Sequence, residues 1–254
     1  METIVFDSNL GFPSEFNTCT NTVKWNEFAF PEYSDIRLFG KMKNLYENPE
    51  GIEDNYQMYF TAGRVAEKGA LSAFKSNGVT YEYTVIPAKD VNGECNKTHG
   101  HVHGINPKTG KRRIEAFEVL YGNGCFELFK ETGLNEFECL IVLLEKGDKI
   151  IVPSDYFHLS INLSTNKPFI FSDLIKDDVD TIYSHVKEKN GGPYRVFHDE
   201  LGGIYYKLNS NWKDYQIKLK VISCKNLNWE NPFNKTLYES FIEDNQKIKL
   251  ILEG

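Results

Sequence analysis

Three histidines and a glutamate are the residues of this chain best suited to chemistry. His101 and His103 stand two residues apart in Thr98-His-Gly-His-Val-His103, Glu115 opens the apolar run Glu115-Ala-Phe-Glu-Val-Leu-Tyr121, and His158 begins His158-Leu-Ser-Ile-Asn162. A two-residue spacing puts both imidazoles on one face of a β-strand. With Glu115 and His158 on neighbouring strands, the set can hold one divalent transition metal and leave positions open for substrate. His99 shares the strand parity of 101 and 103, so parity leaves it as a ligand, a group behind the ligands or part of the pocket mouth. Glu118, three residues after Glu115, has the opposite parity, so only one of the two carboxylates can face the metal. His185 and His198 carry no such spacing and read as structural or surface residues.

The elements that must position these groups are strands. Tyr56-Gln-Met-Tyr-Phe60 alternates, and Val79 to Ile86 is β-branched and aromatic up to Pro87. Further strands are expected over 94–103, 114–121, 124–129, 137–143, 149–152, 157–163 and 168–174. Turn residues such as Gly122-Asn-Gly124 and Asn166-Lys-Pro168 separate them. Many short strands at regular spacing predict a sandwich or barrel. Residues 1–35 read as extended arms and turns, and 35–47 could hold a short helix. After 174 the pattern loosens into a polar loop, a hairpin over 194–208 and a packed helix within 235–252. The turn-rich, basic stretch 104–113 predicts an enlarged hairpin loop, solvated rather than phosphate-binding.

Composition narrows the function. The 254 residues are 41% apolar and 14% aromatic, enough for one substantial core. A formal charge of −7 argues against nucleic acid or an anionic membrane as partner. Five cysteines without C-x-x-C spacing read as reduced thiols rather than a disulfide framework. The opening Met-Glu-Thr-Ile-Val-Phe has neither a basic segment nor a long apolar one. A cytoplasmic protein is expected.

A wider pattern surrounds the four candidate ligands. Six residues separate Glu115 from Gly122, and Gly147-x5-Pro153-x4-His158-x3-Asn162 follows. This resembles the paired motifs of the cupin superfamily, with Asp155 where that family has a glycine. The joint pattern favours Glu115 over Glu118. More closely, Thr98-x-Gly-His-x-His103, Glu115-x-Phe-Glu-Val-Leu-x-Gly-x-Gly124 and Val152-Pro-x4-His158-x3-Asn162 resemble the cupin-type glucose-6-phosphate isomerases. Lys167-Pro-Phe-Ile-Phe171, Tyr56-x-Met-Tyr59 and Thr84-Val-Ile extend the likeness over about residues 50–185.

The resemblance implies an all-β cupin jelly-roll barrel with an N-terminal extended arm and a few peripheral helices. It implies one domain over 1–254, with a core at about 50–185, an arm at 1–49 and a hairpin and helix extension at 186–254. It places metal ligands on His101, His103, Glu115 and His158, and substrate contacts on Thr84, Thr98, Gly100 and Tyr56. Two hydroxyls and a glycine N–H are compact donors suited to a phosphate. Phe117 stands where the family has a tyrosine, and Ile175 and Val179 fall where tyrosines and a histidine are expected. The implied activity is interconversion of glucose 6-phosphate and fructose 6-phosphate, with Glu115 moving the proton or the metal assisting a hydride shift. Fe²⁺ is favoured, with Mn²⁺, Zn²⁺ or Ni²⁺ also suited to the donor set. The implied partner is a small sugar phosphate, and the implied assembly a homodimer. The rival readings are another metal cupin enzyme acting on a different small molecule, and a non-enzymatic sugar-binding cupin.

Overall fold

The computed structural model describes residues 3–6, 14–25, 29–178 and 180–253. Its largest sheet has six strands in the order Lys149–Val152, Glu115–Tyr121, Phe169–Lys176, Val79–Ile86, Gln57–Gly63 and Tyr33–Leu38, each antiparallel to its neighbours. Facing it, a four-stranded sheet runs Phe157–Asn162, Asn123–Gly133, Glu136–Glu145 and Gln216–Ser223, the last pair parallel. The fold is mostly β, two facing sheets with few helices, as expected. Phe117 and Phe171 from the first sheet meet Phe126 from the second, with ring centroids 4.7 and 5.5 Å away, and lock the two faces together.

The large sheet has two inner faces because its strands alternate. On Val79–Ile86, Thr80, Glu82 and Thr84 point into the barrel, while Tyr81, Tyr83 and Val85 join a second core behind it. That second core is closed by Phe74 of helix Leu71–Asn77, Leu237 and Phe241 of helix Leu237–Glu243, and Ile248 and Leu252 of helix Asn245–Glu253. The single helix expected within 235–252 is therefore two, broken at Asp244. Phe16, from the hairpin Ser14–Asn17 and Thr22–Trp25, completes the same layer.

Three boundaries differ from the sequence expectation. Residues 33–38 form an edge strand of the main sheet and are followed by 3₁₀ turns at Phe39–Lys41 and Lys43–Leu45, so this part of the arm belongs to the barrel. Tyr33 can lie there because its cross-strand partner is Gly63, where any side chain would overlap the tyrosine ring. Gln216–Ser223, within the expected extension, pairs along its whole length with Glu136–Glu145. The expected strand 94–103 is interrupted: Glu94–Cys95 and Val102–His103 pair as strands, and Lys97 and His101 make isolated bridges to Ile161 and His158. Between them the chain bends around the candidate ligands. The hairpin Tyr194–His198 and Ile204–Leu208 forms as expected and joins Glu94–Cys95 and Asp90–Val91 in a small sheet.

A buried charge cluster fixes the approach to the site. Glu94 is fully buried and accepts from Lys97, from Arg195 at 3.0 Å and from the Glu47 N–H at 2.7 Å. Each ion is thereby compensated, as burial of charge requires.

Candidate metal centre and cavity

His101 and His158 belong to separate segments stitched by two backbone hydrogen bonds, His101 N–H to the His158 carbonyl at 3.0 Å and the reverse at 2.9 Å. This pairing turns both rings inward, with Nε2 atoms 3.1 Å apart. Val102–His103 pairs with Thr181–Ile182, and the His101 and His103 rings lie on one face with centroids 4.9 Å apart. Glu115, opposite Val152 at the start of its strand, reaches His103 Nε2 at 2.7 Å and His158 Nε2 at 3.0 Å. One donor atom from each of His101, His103, Glu115 and His158 lies within 4.8 Å of all the others.

This donor set fits a divalent transition metal. Three imidazole nitrogens and a carboxylate oxygen suit Fe, Mn, Zn or Ni. The fit also shows in the contact between two Nε2 atoms, which need either a shared proton or a cation between them. Burial pushes Glu115 upward, but the charges and hydrogen bonds of His103 and His158 outweigh it and hold the carboxylate well below its ordinary range. His101 is held well below the ordinary imidazole value, first by burial and then by His158 and His103. Both groups are thereby kept in the metal-binding form.

The cluster lies in a cavity of about 380 Å³. Thr84, Thr98 and Gly100 line it. Thr98 Oγ1 accepts from the Ser160 N–H at 3.0 Å, leaving its own proton to donate, and Thr84 Oγ1 sits 3.2 Å from Thr61 Oγ1. Gly100 has φ +78°, and a Cβ there would strike the Leu159 side chain, so the tight turn between Thr98 and His101 calls for glycine.

Tyr56 is not brought to the cavity; it is partly buried, with the Lys89 ammonium 4.3 Å from its ring centroid. His99 is likewise apart from the four donors: it is buried, with its ring edge-on to Tyr183 at 5.0 Å. Glu118 points behind the sheet, where it accepts the Leu237 N–H at 2.8 Å and pairs with Lys149 at 3.3 Å. The basic loop stays out of the cavity too. Arg113 is buried against Asp178, and Arg112 donates to the His103 carbonyl at 2.7 Å.

Other lining groups escaped the sequence reading. Tyr33, Asp35 and Arg37 enter from the edge strand, with the Arg37 guanidinium 5.7 Å from the Tyr59 ring and 6.0 Å from the Tyr183 ring. Phe117 and Ile175 line the cavity, and hydroxyls come instead from Tyr33, Tyr59 and Tyr183. Val179 lies outside the described residues. Glu82 and Asp173 are cross-strand partners on the wall beside Glu115. Burial drives Glu82 up to about 7, and burial with the neighbouring carboxylates Glu115 and Glu82 drives Asp173 well above its usual range. Tyr33 donates to Glu82.

Over part of its length the chain is similar to vicilin from hazelnut (Corylus avellana), at 13% identity and TM-score 0.34, covering 56% of this chain and 33% of that one. The cupin-2 domain protein of Rhodospirillum rubrum matches at 10% identity and TM-score 0.32, covering 48% and 62%. Oxalate decarboxylase from Bacillus subtilis matches at 15% identity and TM-score 0.33, covering 49% and 27%. The chain thus spans under two thirds of each of these structures. No curated protein sequence matches it. The model of one family, glucose-6-phosphate isomerase (GPI), matches residues 37–213, from Arg37 of the edge strand to beyond the second hairpin. With well over half of its residues matched, the chain belongs to the glucose-6-phosphate isomerase family.

Proposed function

We propose that this protein is a metal-dependent aldose–ketose isomerase interconverting glucose 6-phosphate and fructose 6-phosphate. One observation carries the reading: in a chain of this family, three imidazoles and Glu115 converge inside a cavity that also bears Thr84, Thr98 and Gly100. His101, His103, Glu115 and His158 would hold the metal. When bound, it would supply Lewis-acid stabilisation of the negative charge that develops on the sugar oxygens. Iron is the metal this reading favours.

The protein's own groups would do the rest. Thr84 and Thr98 hydroxyls and the Gly100 N–H offer donors to the phosphate, and Arg37 and Lys176 are cations of the lining. The phosphate end anchors the chain of carbons so that C1 and C2 lie near Glu115, which takes the proton from one carbon and returns it to the other. Asp173, on the wall beside Glu115, is held well above its usual range by burial and by the Glu115 and Glu82 carboxylates, so it can stay neutral next to the base. The apolar wall of Phe117, Phe171 and Ile175 keeps water from the reacting carbons.

A second reading rests on the acids of the cavity. Asp35, Glu82, Asp173 and Asp177 line it beside Arg37 and Lys176, and even with Glu82 and Asp173 shifted upward these groups leave no excess of positive charge for an anion, which favours a less anionic sugar. A coupled assay comparing fructose 6-phosphate with unphosphorylated fructose separates the two. Turnover of the phosphate ester alone supports the first; metal binding with no turnover of it, and no inhibition by sugar phosphates, hands the site to the second. The reading also carries a cytoplasmic homodimer, which size-exclusion chromatography with light scattering tests.

A further inference from the structure

A second convergence of ligating atoms lies outside the cavity. Asp90, Cys95 and His198 each offer a donor atom within 4.8 Å of the others. Three adjoining strands supply them. Asp90 and Cys95 are direct cross-strand partners in the hairpin Asp90–Val91 and Glu94–Cys95, and His198 ends the strand that pairs with Glu94. The His198 N–H donates to the Gly93 carbonyl at 2.9 Å, which fixes the histidine beside the hairpin turn.

The orientation of the imidazole is the telling feature. His198 Nε2 lies 3.1 Å from the Leu163 carbonyl, so that nitrogen carries the proton and donates. Nδ1 lies 2.6 Å from Asp90 Oδ2 and 3.5 Å from Cys95 Sγ, the sulfur standing beside the ring at 3.8 Å from Nε2 as well. A ring nitrogen oriented by a carbonyl on its far side is the usual arrangement of a metal-bound histidine. Bond lengths of about 2.3 Å to sulfur and about 2.0 Å to nitrogen at tetrahedral angles give an S···N edge of about 3.5 Å. The sulfur stands at that distance from Nδ1 but beside the ring, so the thiol must turn about its Cα–Cβ bond to meet an ion held by Nδ1. The nitrogen–oxygen edge would open to about 3.3 Å on binding. Asp90 has room to turn, with 23% of its side chain exposed.

The group is not arranged as a nucleophilic triad. The Leu163 carbonyl engages Nε2 and Asp90 engages Nδ1, so no ring nitrogen is left to take the thiol proton. Cys95 is also 1% exposed, which bars a substrate from its sulfur.

We infer that Asp90, Cys95 and His198 form a second cation site, of the thiolate–imidazole–carboxylate type that takes Zn²⁺ or Co²⁺, with water at the fourth position. Cys95 binds as thiolate and its proton passes to solvent. The ion clasps three strands immediately before Thr98 and so steadies the segment that carries His101 and His103. Its role is structural.

Titration of the metal-stripped full-length protein with Co²⁺ tests this directly. A thiolate ligand gives a sulfur-to-cobalt charge-transfer band in the near ultraviolet, which the histidine–glutamate cluster has no sulfur to produce. Two equivalents should bind, with the band present in wild type and retained in His101→Ala/His158→Ala. Cys95→Ser should lose the band and one equivalent while keeping the other, and His198→Gln should do the same should the serine variant fail to fold. Absence of the band at saturating Co²⁺ in wild type would overturn the site and leave an Asp90–His198 ion pair only. A band that survives Cys95→Ser or His198→Gln would also overturn it, because the sulfur would then belong to another cysteine such as the exposed Cys19.

Discussion

His101 and His158, 57 residues apart in the chain, are joined twice: by reciprocal backbone hydrogen bonds and by Nε2 atoms 3.1 Å apart. The backbone bonds belong to an isolated bridge between one bent segment and a regular strand. The ring contact follows from them. Glu115 then approaches from the facing sheet, so the centre is assembled where the two sheets come together, and both must be folded for it to exist.

Glu115 has two duties in this account, holding the metal and moving the proton. Glu115→Gln should lower kcat by about 10²–10⁴-fold, the range of general-base assistance. Steady-state kinetics at saturating metal checks this. A variant within threefold of wild type would remove Glu115 from the proton transfer.

Phosphate recognition falls to Thr84 and Thr98. Each hydroxyl lost from a charged acceptor is worth about 1.5–3 kcal/mol, roughly ten- to hundredfold in affinity. Thr84→Val and Thr98→Val should therefore raise KM for fructose 6-phosphate with a much smaller change in kcat. A fall in kcat at unchanged KM would place these residues at the reacting carbons instead.

Glu127 gives the fold a pH dependence of its own. It is buried beneath the Tyr194 N–H at 2.7 Å, and burial, only partly offset by that hydrogen bond and by Lys97, drives its carboxyl up to about 7. The folded state then holds a proton that the unfolded chain releases near 4.5. Its contribution to stability is full below that lower value and is lost as pH rises to about 7. Glu127→Gln keeps an acceptor for Tyr194 and should flatten this part of the stability–pH curve. Urea denaturation between pH 5 and about 8 measures it; an unchanged slope would show that Glu127 is ionised throughout.

Much of the centre was legible because strand period and turn length set it. The two-residue step from His101 to His103 and the Gly147–Pro153–His158–Asn162 spacing are local features. The Asn162 amide shows why its place matters, donating to Ile86 and Lys167 carbonyls at 2.9 Å to close the turn after the His158 strand. Tyr33, Asp35 and Arg37 were hidden for the opposite reason. Their strand turns polar side chains into a polar cavity, so its inner face reads in sequence like a solvent face. The mating of Gln216–Ser223 with Glu136–Glu145 is a parallel pairing of distant segments, which alternation alone does not specify. Parity allowed only one of Glu115 and Glu118 to face the metal and the six-residue gap to Gly122 favoured Glu115; the structure adds why Glu118 faces away, since it accepts the Leu237 N–H in the first turn of a helix.

The buried cluster at Glu94 is expected to matter for folding rather than for chemistry. Glu94→Ala strands Lys97 and Arg195 as buried charges and should cost about 3–5 kcal/mol, the range for breaking such a cluster from one side. Denaturant unfolding reads the loss directly. A cost under about 1 kcal/mol would mean that water reaches the cluster and solvates it.

The most direct test of the central claim is turnover of fructose 6-phosphate by metal-stripped protein before and after addition of Fe²⁺, Mn²⁺, Zn²⁺ or Ni²⁺, run beside His158→Ala. The account predicts no turnover when stripped, restoration by metal in wild type, and neither metal retention nor restoration in the variant. Turnover that persists without metal, or that survives loss of His158, would contradict it.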